Sequence, residues 1–131
     1  MTTLHEVRLR VVMADVDAAG ILYFATPYRW QELLFTGWMH EIGHPVSGLL
    51  GSGNGCPAVR SSCEYVRPLH LDDFVRCELT CEEAGRSSFE IGMRGYEEAS
   101  GELAVRTATR HVWVENGAAT PMPDWLRAAL G

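Results

Sequence analysis

The sequence predicts an α+β domain in which one curved antiparallel sheet of about five strands wraps one long buried helix, and three observations carry that expectation. Val7, Leu9, Val11 and Met13 alternate with Arg8, Arg10, Val12 and Ala14, the two-residue period of a half-buried strand. Residues 26–42 are the only long stretch with helical spacing. From Cys56 onward the chain reads as four more strands, at about 57–68, 74–84, 87–97 and 103–115.

The first strand raises a question at its end. Its core-facing phase would continue into Asp15 and Asp17 of A-D-V-D-A-A-G-I-L-Y-F, so either the chain leaves the core there or a carboxylate is wanted inside. Thr26-Pro27 then gives an N-cap followed by proline at the first helical position. Gly43, with Pro45 two residues on, gives the stop. At about 100° per residue, Arg29, Glu32, Thr36 and His40 make a narrow polar stripe, and Trp30, Leu33, Leu34, Phe35, Trp38, Met39 and Ile42 cover most of the rest. Gly37 inside the helix costs about 1 kcal/mol relative to alanine, which predicts a close neighbour against the backbone.

Gly43 to Gly55 is glycine-rich and reads as a mobile loop. It is not a phosphate loop, because no Gly-Lys-Ser/Thr follows and it leads out of a helix. Turns are predicted at Leu71-Asp72-Asp73, Ala84-Gly85-Arg86, Ser100-Gly101 and Asn116-Gly117, and a short helix opens at Pro123. Residues 1–131 read as a single domain. Five strands are too few to cover a helix that is apolar nearly all round, so a second copy of the chain is expected as the missing cover.

Composition narrows the function. No apolar run approaches the roughly 18 residues of a membrane span. The first ten residues enter a strand pattern with no leader-like segment, so a cytoplasmic protein is expected. A net charge of −6 argues against a general nucleic-acid binder. All eleven basic residues are arginines, which clamp phosphates in a bidentate fashion, so a local anion pocket stays possible. Cys56, Cys63, Cys77 and Cys81 read as free, mostly buried thiols. The histidines His44, His70 and His111 lack metal-ligand spacing, and neither a metal nor a cofactor is expected.

Asp15-Val16-Asp17-Ala18-Ala19-Gly20-Ile21-Leu22-Tyr23 before a buried helix, then Tyr65-Val66-Arg67-Pro68 with Asp72-Asp73, then Gly85-Arg86-Ser87-Ser88-Phe89, resemble the 4-hydroxybenzoyl-CoA thioesterase family of hot-dog-fold proteins. The resemblance extends to relatives of the Tol–Pal-associated acyl-CoA thioesterase type and spans residues 5–115. It implies a hot-dog fold, dimers joined edge to edge and often paired again as tetramers, and hydrolysis of an acyl-CoA thioester. By position, Asp17 becomes the catalytic carboxylate, acting as nucleophile or general base. Backbone N–H groups around Tyr23 and Phe24 become the oxyanion donors, with Gly20 allowing the tight turn. Asp15 is expected to shape the loop. Arg86 is the expected coenzyme A phosphate contact, with Arg106 and Arg110 as weaker ones. Phe24 stands where some Tol–Pal-type relatives carry histidine, which weakens transfer of a short aliphatic preference, and Tyr23, Phe24, Trp30 and Trp38 could furnish an aromatic pocket.

Three other readings stay open on sequence alone. A hot-dog hydratase needs a histidine paired with a carboxylate, and no histidine lies between His5 and His40. A non-catalytic acyl-binding role needs no reactive group. An acyl carrier protein could replace coenzyme A as the carrier, although that acidic partner fits poorly with a chain of net charge −6.

Overall fold

The computed structural model describes residues 2–131. Strands β1 (Thr3–Arg10), β3 (Ala58–Tyr65), β4 (Phe74–Ala84), β5 (Ser88–Glu97) and β6 (Leu103–Val112) form one antiparallel sheet in the order β1-β4-β5-β6-β3. Helix α1 (Thr26–Glu41) lies on its concave face. Val75, Cys77, Leu79, Phe89, Ile91, Met93 and Val105 point at the helix from the three central strands and are at most 1% exposed. Trp30, Leu34, Trp38 and Met39 answer them from α1. The alternation read from the sequence is this inner and outer division of the sheet.

Several boundaries move for local reasons. β3 ends at Tyr65 instead of residue 68, because the N–H groups of Val66 and Arg67 both turn onto the Ala104 carbonyl, at 2.8 and 3.1 Å. The strand expected over 103–115 breaks at Trp113: β6 stops at Val112, and β7 (Val114–Glu115) joins β2 (Asn54–Gly55) and β8 (Ala118–Ala119) in a second, three-stranded sheet. The stretch read as a mobile loop therefore carries structure, namely β2 and a short helix α2 (Val46–Gly51) whose Leu49 is buried. The terminal helix α3 (Asp124–Leu130) buries Leu126 and Leu130.

Helix α1 also begins differently. Ala25 occupies the N-cap position and Thr26 is already helical; its hydroxyl donates to the Asp15 carbonyl at 2.9 Å instead of capping. At the other end Gly43 has φ +88°, and the His44 N–H closes onto the Met39 carbonyl at 3.0 Å, a turn that glycine enters without steric cost. The neighbour that Gly37 implied is His5 of β1. A Cβ at position 37 would lie 3.1 Å from the His5 Nε2, and His5 Nδ1 is 2.7 Å from Glu41.

The polar stripe Arg29, Glu32, Thr36 and His40 faces outward. The premise behind the expected second copy needs correction, however, because the chain's own elements cover α1 and leave only Leu33 among its large apolar residues strongly exposed. The sheet's β3 edge is uncovered. Seven of the eight residues of β3 are exposed, Val59 and Tyr65 among them, so both faces of this edge strand lie open.

Candidate active site

Past β1 the chain makes a short 3₁₀ turn at Met13–Asp15, which breaks the strand's phase and decides which carboxylate is buried. Asp15 is 2% exposed and spends both oxygens inside the protein: Oδ2 accepts the Val12 N–H at 2.9 Å, and Oδ1 pairs with the Arg29 guanidinium. Its carbonyl accepts the Tyr23 N–H at 2.8 Å as well as the Thr26 hydroxyl. One residue thus ties the turn, the loop and the start of α1 together.

Asp17 sits two residues on and is exposed. Its Oδ1 accepts the Ala19 N–H at 2.8 Å, its N–H donates to Ile21 at 3.0 Å, and its carbonyl accepts from Gly20, which turns at φ +78°. Oδ2 has no partner among the described residues. The loop is pinned again where Leu22 donates to the Leu69 carbonyl at 2.9 Å. This holds Asp17 at the rim of a cavity of about 490 Å³, whose walls include Leu22, Phe24, Tyr65, Arg67 and Val105. The Tyr65 hydroxyl donates to the Phe24 carbonyl across it, and burial pushes the Tyr65 phenol above its ordinary pKa.

The two expected oxyanion donors differ. The Tyr23 N–H is already spent on Asp15, whereas the Phe24 N–H has no acceptor among the described residues and stands at the entrance to α1. A helix N-terminus favours negative charge there.

The expected coenzyme A contacts lie elsewhere on the protomer. Arg86 is in the β4–β5 turn, beyond Phe89, whereas the cavity's Val105 is registered with Gly95; six residues of β5, about 20 Å, separate those levels. Arg106 forks onto Glu64, at 3.0 Å, and Arg110 pairs with Glu83 at 3.0 Å and Ser88 at 2.9 Å, both away from the Asp17 cavity. The arginine that does line the Asp17 cavity is Arg67, paired with Glu102 and, at 3.7 Å, with Glu97. Sequence reasoning quoted Tyr65 and Arg67 as motif positions without giving either a place in the site. It had no signal for the Asp15–Arg29 pair, which spans fourteen positions.

No histidine of the same protomer lines this cavity. The four cysteines are free, and burial pushes the thiols of Cys56 and Cys77 up to about 12, far from a reactive thiolate. Among the described residues no helix is long and apolar enough to cross a membrane.

A curved antiparallel sheet around one long helix is the hot-dog fold, and the matches that follow make the protein a thioester hydrolase. The chain belongs to the thioesterase-like superfamily, whose pattern it matches over residues 11–130. It is 34% identical over 113 residues to the 1,4-dihydroxy-2-naphthoyl-CoA hydrolase of Picosynechococcus, covering 82% of this chain and 77% of that one. The structure of the gentisyl-coenzyme A thioesterase BH1999 superposes with a TM-score of 0.86 at 27% identity, over 96% of this chain and 99% of the other. The 1,4-dihydroxy-2-naphthoyl-CoA thioesterase Slr0204 from Synechocystis shares the fold, with a TM-score of 0.89 at 22% identity over 96% and 94% of the two chains.

Proposed function

We propose that the protein hydrolyses an acyl-CoA thioester with an aryl acyl group, and that Asp17 supplies the reacting carboxylate. The observation that carries this reading is the unpartnered Asp17 Oδ2 at the rim of the cavity, beside the free N–H of Phe24. A thioester carbonyl is electrophilic and coenzyme A thiolate leaves readily, so one carboxylate with an oxyanion donor suffices. As nucleophile, Asp17 attacks the carbonyl carbon, the C–S bond breaks, the thiolate departs with the electron pair, and water cleaves the resulting anhydride. As general base, it takes a proton from water, whose oxygen attacks the same carbon; the tetrahedral intermediate then collapses, the C–S bond breaks, and the thiolate leaves with the electron pair. The aryl preference draws support from the aromatic cavity wall and from relatives named for dihydroxynaphthoyl and gentisyl thioesters.

Tyr65, opposite Phe24, limits the cavity's width, and Arg67 supplies the cation on its wall. Arg86 lies about 20 Å along β5 from the level of the cavity, and its part as a phosphate contact is tested by Arg86→Ala, which is expected to raise KM with little change in kcat. Asp17→Asn keeps the side chain's shape and removes its charge, and kcat is expected to fall by about 10²–10⁴ with an unchanged circular dichroism spectrum. Near wild-type kcat in that variant would overturn the assignment. Single-turnover hydrolysis in ¹⁸O-water separates the two roles: direct water attack labels the acid product in the first turnover, whereas opening of the anhydride at the aspartyl carbonyl leaves the label on Asp17.

A further inference from the structure

The free N–H at the entrance to α1 belongs to a residue with little else to fix it. Phe24 is 62% exposed, and its ring meets that of Tyr23 with centroids 4.7 Å apart, so burial of the side chain does not hold the residue in place. The backbone before it is tied down: the Tyr23 N–H donates to the Asp15 carbonyl at 2.8 Å, and the Tyr23 carbonyl accepts the Thr26 N–H at 2.9 Å. The second of these bonds makes residues 23–26 a β-turn, with Ala25 at φ −85° and ψ −14°, the conformation of the third residue of a type I turn.

Phe24 is the second residue of that turn. Its carbonyl belongs to the central peptide, which the turn's own hydrogen bond does not engage. No backbone N–H among the described residues reaches this carbonyl, and with α1 starting at Thr26 it lies outside the helix ladder. Its partner is the Tyr65 hydroxyl, forty-one positions away in the chain.

Tyr65 is a firm support. It is the last residue of β3, in register with Val105, and the N–H groups of Val66 and Arg67 that follow it both close onto the Ala104 carbonyl. The Arg67 side chain is paired in turn with Glu97 and Glu102. The strand end is therefore fastened to β6, and one hydrogen bond passes the rigidity of the sheet to a loop. Burial raises the phenol's pKa, so the hydroxyl keeps the hydrogen it donates.

We propose that Tyr65 is a positioning residue for hydrolysis: its hydroxyl holds the Phe24 carbonyl, and so keeps the Phe24 N–H aimed at the oxyanion that forms on the substrate. The proposal rests on the thioesterase reading above and adds a residue that acts through Phe24, without itself touching the reacting atoms. A donor fixed before the substrate arrives needs no reorganisation as charge develops, and a small displacement of it is costly.

The test is Tyr65→Phe, which keeps the ring on the cavity wall and removes only the hydroxyl. Steady-state kinetics use the fastest substrate among benzoyl-CoA, phenylacetyl-CoA and hexanoyl-CoA, at a temperature where circular dichroism shows both proteins folded. The expected result is a kcat lower by about 10- to 100-fold with KM changed less than about twofold. An unchanged kcat, or a raised KM at wild-type kcat, which marks a residue that only binds substrate, overturns the proposal and leaves the thioesterase reading intact. Absence of wild-type turnover with every ester sinks both together. Should Tyr65→Phe not fold, trifluorotyrosine placed at position 65 decides, because its phenol loses the donated proton at a much lower pH than tyrosine does. Relative to the wild type, its kcat is expected to fall as that phenol ionises, and a constant ratio across the pH range overturns the assignment.

Discussion

Asp15 and Asp17 are separated by one valine, yet their surroundings give them opposite duties. Asp15 is buried and fully bonded, so its charge is used in holding the loop to α1 through Arg29. Asp15→Asn weakens the pair with Arg29 and is expected to cost about 1–3 kcal/mol, read as a lower denaturant midpoint, with any loss of kcat following from loss of structure. Asp17→Asn should do the reverse, leaving the midpoint within about 0.5 kcal/mol while kcat collapses. His111 adds a pH term. Its folded-state pKa is depressed by burial, so as pH falls below about 6.5 the unfolded chain takes a proton that the folded one refuses. Stability should therefore decline as pH drops from about 6.5 toward the folded-state value, and His111→Phe should flatten that part of the Tm profile. Phe35, Phe89, the Cys56 carbonyl and the Glu32 carboxylate are the groups around this ring; the hydrogen bond to the Cys56 carbonyl opposes the shift without reversing its direction.

At the scale of elements, the contact between β1 and α1 is set by what Gly37 lacks. The His5 ring occupies the space of a Cβ at 3.1 Å and reaches Glu41 one turn on. Gly37→Val forces branched methyls against that ring, and a loss of about 1–3 kcal/mol is expected, measured by urea denaturation. His5→Ala in the same chain should recover part of it, since the clash is with that side chain. The glycine, the polar stripe of α1 and the alternation of β4 and β5 were all legible in sequence, because each depends on neighbours within a few positions. The end of β6 at Trp113 was not, since the chain there changes from one sheet to another and the partner, β2, lies about sixty residues earlier.

At the scale of the molecule, the β3 edge is an open surface, with Val59 exposed on a strand whose outer side pairs with no strand among the described residues. A charge there should block edge-to-edge association. For the proposed edge-to-edge dimer, Val59→Asp is expected to shift light scattering toward the monomer at micromolar concentration. A wild type that scatters as a compact monomer would contradict this assembly.

What the sequence determined by itself is the set of local commitments: five strands by their period, one helix by its length and its proline and glycine punctuation, and an acidic pair where a strand ends at a helix. These follow from spacing, and spacing is what a sequence displays. Only the tertiary structure decided which aspartate is spent and which is free, that the Tyr23 N–H is occupied while that of Phe24 is not, that Arg67 and not Arg86 borders the Asp17 cavity, and that the Tyr65 hydroxyl reaches the Phe24 carbonyl. Each of these depends on groups brought together from distant positions, where burial and the direction of a lone pair, set by packing, determine whether a polar atom is available for chemistry.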